Sequence, residues 1–207
     1  MIFLTSSVAS VAEHLYKNFL AENHYHSVLF IDTAAEPEIE DGDDDTWLQN
    51  DLKSLQNVGY QVDRYSVTGK TREDVAKKFN DYDILYMCGG NTAHLLGQLQ
   101  QTGSLSLIKE QVSNGKPYIG TSAGSIVAGP EIPIYLREEA PKLEDYTCLN
   151  FVNFIVVPHW GSEHFRDEYV GKRIETAYRT DLPPFLLISD TQYVRIEGER
   201  LFEVIET

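Results

Sequence analysis

Short apolar runs alternate with segments of helical periodicity along most of this chain, and this alternation constrains the fold more than any other feature. The runs are continuously apolar, as strands are when both faces of a sheet are covered. Six strands are predicted in the body of the chain: Met1–Thr5, Ser27–Ile31, Tyr60–Tyr65, Asp83–Cys88, Lys116–Gly120 and Asn153–Val157. The predicted helices are Val8–Ala21, Thr46–Asn57, Thr71–Phe79, Thr92–Gln101, Leu105–Ser113 and Ser162–Tyr178. Together they predict an α/β fold with a mainly parallel central sheet between helical layers.

The end of the chain has a different pattern. Phe185–Ser189, Gln192–Glu197 and Arg200–Ile205 are short predicted strands, and residues 197–199 (Glu-Gly-Glu) are typical of a turn. Antiparallel strands of this kind are a common addition to a parallel sheet. The sequence therefore predicts a C-terminal antiparallel ribbon that contains all three strands.

Glu36–Asp45 is a strongly acidic segment. Calcium loops also use spaced aspartates, but Gly42 stands at the wrong position for an EF-hand. Leu52 occupies the place of its closing glutamate. We expect a solvated loop whose last aspartates favour the start of the helix at Trp47.

Length and charge limit the range of functions. The 207 residues show no linker or internal repeat, so we expect a single domain over residues 1–207. No stretch approaches the roughly 18 apolar residues of a membrane helix, and Met1–Leu4 lacks the features of a signal peptide. These features predict a cytoplasmic protein without membrane contact. A net charge of −15 disfavours nucleic acid as a partner. The two cysteines, Cys88 and Cys148, form no disulfide framework, and Cys88 is expected to pack in the core.

Gly120–Gly124 (Gly-Thr-Ser-Ala-Gly) matches the pattern of a nucleophile elbow, a strand–turn–helix motif that exposes a serine hydroxyl. A predicted strand end precedes it, and Ser125–Ala128 is typical of a helix start. The Ala123 backbone N–H could then face the oxyanion of a tetrahedral intermediate. A phosphate-binding turn is the other interpretation, but no lysine follows as in a P-loop. The motif predicts Ser122 as a nucleophile.

A second glycine turn, Gly89–Thr92 (Gly-Gly-Asn-Thr), follows the predicted strand Asp83–Cys88 and precedes a helix. In a parallel sheet such a loop lies at the carboxyl edge, where sites form. The backbone N–H of Gly90 or Asn91 could be the second oxyanion donor. The alternative is an ordinary turn with Asn91 or Thr92 as the helix N-cap.

A serine nucleophile needs a base. His159 follows the apolar run Phe154–Pro158, so it is predicted at the end of a strand; His164 is the alternative. The spacing of these two histidines does not match a metal-binding helix, and no third ligand accompanies them. We therefore predict no metal and no cofactor.

The base needs a carboxylate to hold its tautomer. Asp190 closes the apolar run Phe185–Ile188, at another strand end that could face the same edge. It is the preferred candidate. The competing carboxylates are Glu163, Asp145 and Glu131.

Gly89–Thr92, residues 115–125 with Ser122, and Pro158–His159 together resemble the peptidase E family of serine peptidases, which includes the aspartyl dipeptidases. The resemblance covers the whole chain. It implies a flavodoxin-like α/β sandwich related to class I glutamine amidotransferases. It also implies Ser122 as nucleophile, His159 as base, Asp190 as the acidic third member, and oxyanion donors at Gly90 and Ala123.

The resemblance further implies short peptides as substrates, such as dipeptides with an N-terminal aspartate. That specificity needs a cation, and Arg166 and Arg173 are the candidates, with Asn91 as a further substrate-binding residue. Residues 131–137 depart from the family's pattern, so an esterase or an amidase for another small substrate remains open. A non-catalytic binding relative remains open as well. Both a monomer and a homodimer are compatible with the sequence.

Overall fold

The computed structural model describes residues 1–137, 143–179, 181–198 and 201–207. Its main sheet has seven strands in the order β3-β2-β4-β5-β1-β8-β9. The first five in this order run parallel, and β8 and β9 add antiparallel pairs at the β1 edge. The strands are β1 Ile2–Thr5, β2 Ser27–Ile31, β3 Gln61–Tyr65, β4 Ile84–Met87, β5 Tyr118–Thr121, β8 Gln192–Glu197 and β9 Leu201–Glu206. The predicted mainly parallel α/β sheet is confirmed.

Helices cover both faces of this sheet, since every residue of the central strands β1, β4 and β5 is buried. Helix α1 packs against α3, and α6 packs against α4 and α5. The longer helices are α1 Val8–Leu15, α3 Thr46–Asn57, α4 Arg72–Asn80, α5 Thr92–Gln101 and α6 Ser104–Ser113. The shorter ones are α2 Glu36–Asp41, α7 Ala123–Ile126, α8 Ile134–Arg137, α9 Arg166–Glu168 and α10 Ile174–Ala177. Cys88 lies in the core, as expected.

Two predicted strands belong to a separate small sheet. Strand β6, Ile155–Val157, pairs in parallel with β7, Phe185–Leu187, and neither joins the seven-stranded sheet. The prediction that Phe185–Ser189 is part of the antiparallel ribbon is therefore wrong, and the ribbon consists of β8 and β9. The predicted turn at 197–199 includes Glu199, which lies outside the described residues.

Three predicted segments differ in detail. The acidic segment contains the helix α2, with Pro37 in its first turn and Gly42 at its C-terminal cap, so the expected loop is wrong there. The first helix continues beyond Leu15 as a π turn over Tyr16–Leu20 and a 3₁₀ turn over Ala21–Asn23. The helix predicted from Ser162 begins only at Arg166.

Among the described residues, no helix is both long enough and apolar enough to cross a membrane.

Candidate functional site

Ser122 lies between the end of β5 and the start of α7, as the glycine motif predicts. Its backbone has φ 48° and ψ −108°, a conformation that is uncommon for a residue with a side chain. The Ser122 N–H donates to Thr5 O at 3.0 Å, and the Ser122 carbonyl accepts from Ser125 N and Ile126 N. These main-chain bonds hold the strained backbone of Ser122 in place. Strained residues of this kind cluster at functional sites.

His159 and Asp190 come from the second sheet. His159 follows β6 and Asp190 follows β7, so the parallel pairing of these strands brings both residues to one edge. His159 Nε2 lies 3.1 Å from Ser122 Oγ, and His159 Nδ1 lies 2.8 Å from Asp190 Oδ1. The structure thus brings the three predicted side chains into one line of hydrogen bonds at the carboxyl ends of two sheets.

The competing candidates make other contacts. His164 is exposed and packs edge-on against Phe165. Glu163 forms an ion pair with Arg166, and Glu131 forms one with Arg137. Asp145 accepts from Thr147 N at 2.8 Å. Of these candidates, Asp190 is therefore the carboxylate that forms a hydrogen bond with His159.

The hydrogen bond from His159 holds the pKa of Asp190 below its ordinary value. Partial burial acts in the opposite direction, and a hydrogen bond from Ser6 lowers the pKa further. Asp190 is consequently ionised at neutral pH. An ionised carboxylate keeps the proton of the histidine on Nδ1, which leaves Nε2 as an acceptor for the Ser122 hydroxyl.

Near Ser122, the backbone N–H groups of Gly89, Gly90 and Ala123 have no acceptor among the described residues. Gly90 has φ 117°, and an added Cβ would lie 2.4 Å from Ala34 O, so only glycine fits this turn. Asn91, the alternative donor, instead gives its N–H to Ala34 O at 2.8 Å, and its Oδ1 caps α5 by accepting from His94 N. Of the two predicted donors, the Asn91 N–H is therefore occupied and the Gly90 N–H is not.

A cavity of about 790 Å³ opens over Ser122 and His159. Its lining includes Trp47 and Phe165, so part of its wall is aromatic. Carboxylates from the acidic segment also line it, and Asn91 lies at its edge with the glycine turn. These carboxylates are Glu38, Asp43 and Asp44. A cavity of this size suits a small ligand with both apolar and charged groups.

The two candidate arginines have different surroundings. The Arg166 side chain is 67% exposed and does not line the cavity. The Arg173 side chain is 10% exposed and lines it. Arg173 Nη2 lies 2.5 Å from Glu168 Oε2, and its guanidinium packs over the rings of Tyr169 and Phe165. Of the two candidate arginines, Arg173 is therefore the one that lines the cavity.

Sequence reasoning missed Ser6 and Phe165. Ser6 follows β1 and hydrogen-bonds to both His159 and Asp190. The Phe165 ring stacks on the His159 imidazole, with centroids 4.4 Å apart and an interplanar angle of 15°. Neither residue belongs to a recognisable motif. The partners of Ser6 are far away in the chain, and nothing in the short segment between His159 and Phe165 indicates that the two rings stack.

Asp51 is a buried carboxylate of the cavity wall, 4% exposed. It accepts from Tyr86 Oη at 2.8 Å and from Ala9 N at 3.2 Å. Burial raises its pKa to about 6, and the negative charge of Asp190 acts in the same direction. Because the folded pKa exceeds the ordinary value of 3.8, the folded state holds this proton more tightly than the unfolded state. Its contribution to stability is present below about pH 4 and is lost as the pH rises through about 6.

Replacing Asp51 by asparagine should remove this dependence. As the pH rises from about 4 to about 7, the free energy of unfolding of wild type should fall relative to that of Asp51→Asn. The expected change is on the order of 2 to 3 kcal/mol. The asparagine amide has one acceptor oxygen in place of two, so it can accept from only one of Tyr86 Oη and Ala9 N, at a cost that does not vary with pH. Urea unfolding of both proteins across this range measures the difference, and parallel curves would contradict the prediction.

Within the described part of the chain, no group of three or more His, Cys, Asp or Glu side chains is placed to hold a metal ion.

A mostly parallel sheet with a serine at its carboxyl edge, in line with a histidine and an aspartate from a second small sheet, defines an α/β protein of the hydrolase type. Comparison with known proteins identifies the family of this chain. The model of peptidase family S51 matches residues 2–204. The chain therefore belongs to peptidase family S51, and it is a peptidase.

Individual relatives agree with this assignment. An uncharacterized peptidase of Listeria monocytogenes is 32% identical over 207 residues, which are 97% of this chain and 96% of the relative. Peptidase E of a Shewanella species is 36% identical over 121 residues, covering 57% of this chain and 48% of that protein. A crystal structure from Listeria monocytogenes, described as a candidate peptidase E, has a TM-score of 0.85 at 29% identity. It covers 100% of this chain and 98% of the other. The resemblance to peptidase E is confirmed.

Proposed function

We propose that this protein is a serine exopeptidase that hydrolyses short peptides through an acyl-enzyme, with Ser122, His159 and Asp190 as its catalytic triad. The observation that carries the proposal is the line of hydrogen bonds from Ser122 Oγ to His159 Nε2 and from His159 Nδ1 to Asp190 Oδ1, at 3.1 and 2.8 Å. A nucleophile bonded to a base that is itself held by a carboxylate is the geometry required for acyl transfer.

The proposed reaction proceeds in two halves. Ser122 Oγ attacks the scissile carbonyl carbon while His159 Nε2 accepts the hydroxyl proton, and the same proton is then given to the leaving amine. Water next attacks the acyl carbon while His159 takes a proton from it. The bond from Ser122 Oγ to the acyl carbon then breaks, His159 returns the proton to Ser122 Oγ, and the acid product leaves. Asp190 stabilises the imidazolium in both halves without being protonated itself.

The oxyanion of each tetrahedral intermediate would be stabilised by the Gly90 and Ala123 N–H groups. Ala123 is the first residue of α7, so its N–H has no acceptor within the helix. Gly90 lies in the neighbouring turn after β4, the strand that pairs with β5. Two preorganised N–H donors are the usual form of an oxyanion hole.

The lining of the cavity supports a small, charged substrate. Arg173 lines the cavity and would pair with a substrate carboxylate, such as an N-terminal aspartate side chain. Carboxylates of the acidic segment, among them Glu38 and Asp43, lie in the same cavity and favour a free α-ammonium group. A short peptide with an unblocked N-terminus carries both groups.

A panel of Asp-X, X-Asp and neutral dipeptides, with matched N-acetylated peptides and esters, tests this proposal. We expect cleavage of unblocked peptides, fastest for Asp-X, and weak cleavage of the acetylated forms. Equal rates for Asp-X and neutral dipeptides would remove the aspartyl preference. Cleavage of esters alone would favour an esterase, and an inert Ser122 toward a fluorophosphonate probe would favour a non-catalytic relative.

Arg173 offers a direct test of acidic specificity. Arg173→Met keeps most of the apolar stem and should raise KM for Asp-X dipeptides by about 10- to 100-fold, because a charge-assisted pair is lost. The KM of neutral dipeptides should change much less. Glu168→Gln, at a side chain that is 57% exposed, should have the opposite effect, because Glu168 competes for the same guanidinium.

Arg166→Met is the matched control for this pair, since Arg166 is exposed and lies outside the cavity. Its KM values should match wild type. Equal losses for acidic and neutral dipeptides in Arg173→Met would indicate a packing role and contradict the specificity role.

A further inference from the structure

Ser6 connects the two sheets at the site. It follows β1, whose last residue, Thr5, is paired with Thr121 at the end of β5, so Ser6 lies beside Ser122. Its side chain reaches across to the loops after β6 and β7. Ser6 Oγ lies 2.7 Å from Asp190 Oδ1, 2.6 Å from the His159 backbone N and 3.3 Å from His159 Nδ1. Ser6 is fully buried.

These distances assign the single hydroxyl proton of Ser6. The ionised Asp190 can only accept, so the Ser6 hydroxyl donates to Asp190 Oδ1. Its lone pairs are then directed to donors, and the His159 backbone N–H supplies one of them. Asp190 Oδ1 thus accepts two hydrogen bonds, one from the Ser6 hydroxyl and one from His159 Nδ1–H. Both bonds fix the carboxylate oxygen that faces the imidazole.

Ser6 also supports the backbone of His159. His159 has φ 67°, in the left-handed region that residues with a side chain rarely adopt. Such a conformation persists only when its surroundings hold it. The bond from His159 N–H to Ser6 Oγ is one such restraint, and Phe165 stacked on the ring is another. A change at Ser6 therefore acts on both the ring and the main chain of His159.

We propose that Ser6 is a positioning residue of this peptidase, which orients the His159 imidazole and the Asp190 carboxylate toward Ser122. The proposal rests on the proposed function, since it assumes that Ser122 is the nucleophile and His159 its base. Ser6 itself does not touch the reacting atoms.

Removal of the hydroxyl has two expected effects. Asp190 keeps its charge but loses a donor, so it should hold a protonated imidazole more tightly, and the pH of half-maximal reactivity of Ser122 should rise. A less restrained imidazole should also lower the maximal rate. The substitution leaves the other titratable groups that line the cavity with His159 in place; they are Asp51, His164, Glu168 and Arg173.

The test measures the second-order rate of Ser122 labelling by a fluorophosphonate probe as a function of pH. Labelling of wild type that is lost in Ser122→Ala establishes the nucleophile; without it the proposed function fails, independently of Ser6. Given that labelling, Ser6→Ala should react about 10- to 100-fold more slowly. Its half-maximal pH should lie about half a unit higher, as expected for one lost hydrogen bond.

Ser6→Cys gives a second variant of similar volume with a weaker donor, and circular dichroism checks that each variant is folded. The labelling rate and half-maximal pH of Ser6→Cys should lie between those of wild type and Ser6→Ala. Ser104→Ala is the control, because Ser104 is equally buried and bonds to Thr102 instead of the site. It should label as wild type. A wild-type rate and half-maximal pH in either folded Ser6 variant would overturn the proposal.

Discussion

Replacement of Ser122 by alanine is expected to lower kcat/KM for peptide hydrolysis by about 10⁴- to 10⁶-fold, the loss typical of removing a serine nucleophile. The variant keeps the two N–H groups of Gly90 and Ala123 and the whole cavity, so its KM should change little. Only the atom that forms the acyl bond is missing. Initial rates over the dipeptide panel, compared with wild type, measure the loss.

The fold should survive this change. The backbone at Ser122 is held by main-chain bonds to Thr5, Ser125 and Ile126, none of which uses the hydroxyl. Ser7→Ala is a useful control, since Ser7 also lines the cavity but bonds only to Ser10 among the described side chains. We expect it to stay within about tenfold of wild type. A Ser122→Ala protein that cleaves every peptide at the wild-type rate would rule out the mechanism.

The parts of the site that were predictable from the sequence are those carried by local patterns. In the turn Gly120–Gly124, the glycines on both sides of the strained serine pack directly against main-chain atoms, and few other turns require that combination of residues. His159 and Asp190 each follow an apolar run, and parallel strands end at a common edge. The contacts between them confirm the expected placement of these side chains; their roles in the reaction stay predictions.

The second sheet was not predictable in this way. Ile155–Val157 and Phe185–Leu187 are only three residues long, and an apolar run does not indicate which sheet it joins. Ser6 depends on that arrangement, because its partners lie 153 and 184 positions away in the chain. No local signal could have identified it.

The two arginines show a different limit. Arg166 and Arg173 are seven positions apart, so a regular α-helix would place both on one face. The π turn over Tyr169–Arg173 changes the helical phase, and only Arg173 is buried in the cavity. The acidic helix α2, in contrast, had readable signals in Pro37 and Gly42, which the predicted loop did not use.

Replacement of Gly124 by alanine is expected to destabilise the protein by about 3 to 5 kcal/mol, a large effect for one methyl group. An added Cβ would lie 2.1 Å from the carbonyl oxygen of Met87 and 2.8 Å from its carbonyl carbon. Both are main-chain atoms of β4 and cannot rotate away. Gly124 N–H also donates to Cys88 O at 3.1 Å, so the first turn of α7 rests directly on the end of this strand.

Relief of this clash would require α7 to move away from β4. Because Ala123 begins α7 and Gly90 follows β4, such a movement would separate the two proposed oxyanion donors. We therefore expect Gly124→Ala to lose activity even under conditions where it remains folded. Urea unfolding gives the stability, and kcat/KM at low temperature, with the folded fraction checked by circular dichroism, gives the activity.

Gly171→Ala provides the matched control for Gly124→Ala. Gly171 is an exposed residue of the π turn Tyr169–Arg173, with helical backbone and no atom within 4 Å of an added Cβ. There the methyl group restricts the unfolded chain and meets nothing in the folded one, so stability should stay equal or rise by up to about 1 kcal/mol. Similar unfolding midpoints for Gly124→Ala and Gly171→Ala would show that α7 and β4 tolerate a side chain between them, and the close contact of helix and strand would then not be what holds the elbow.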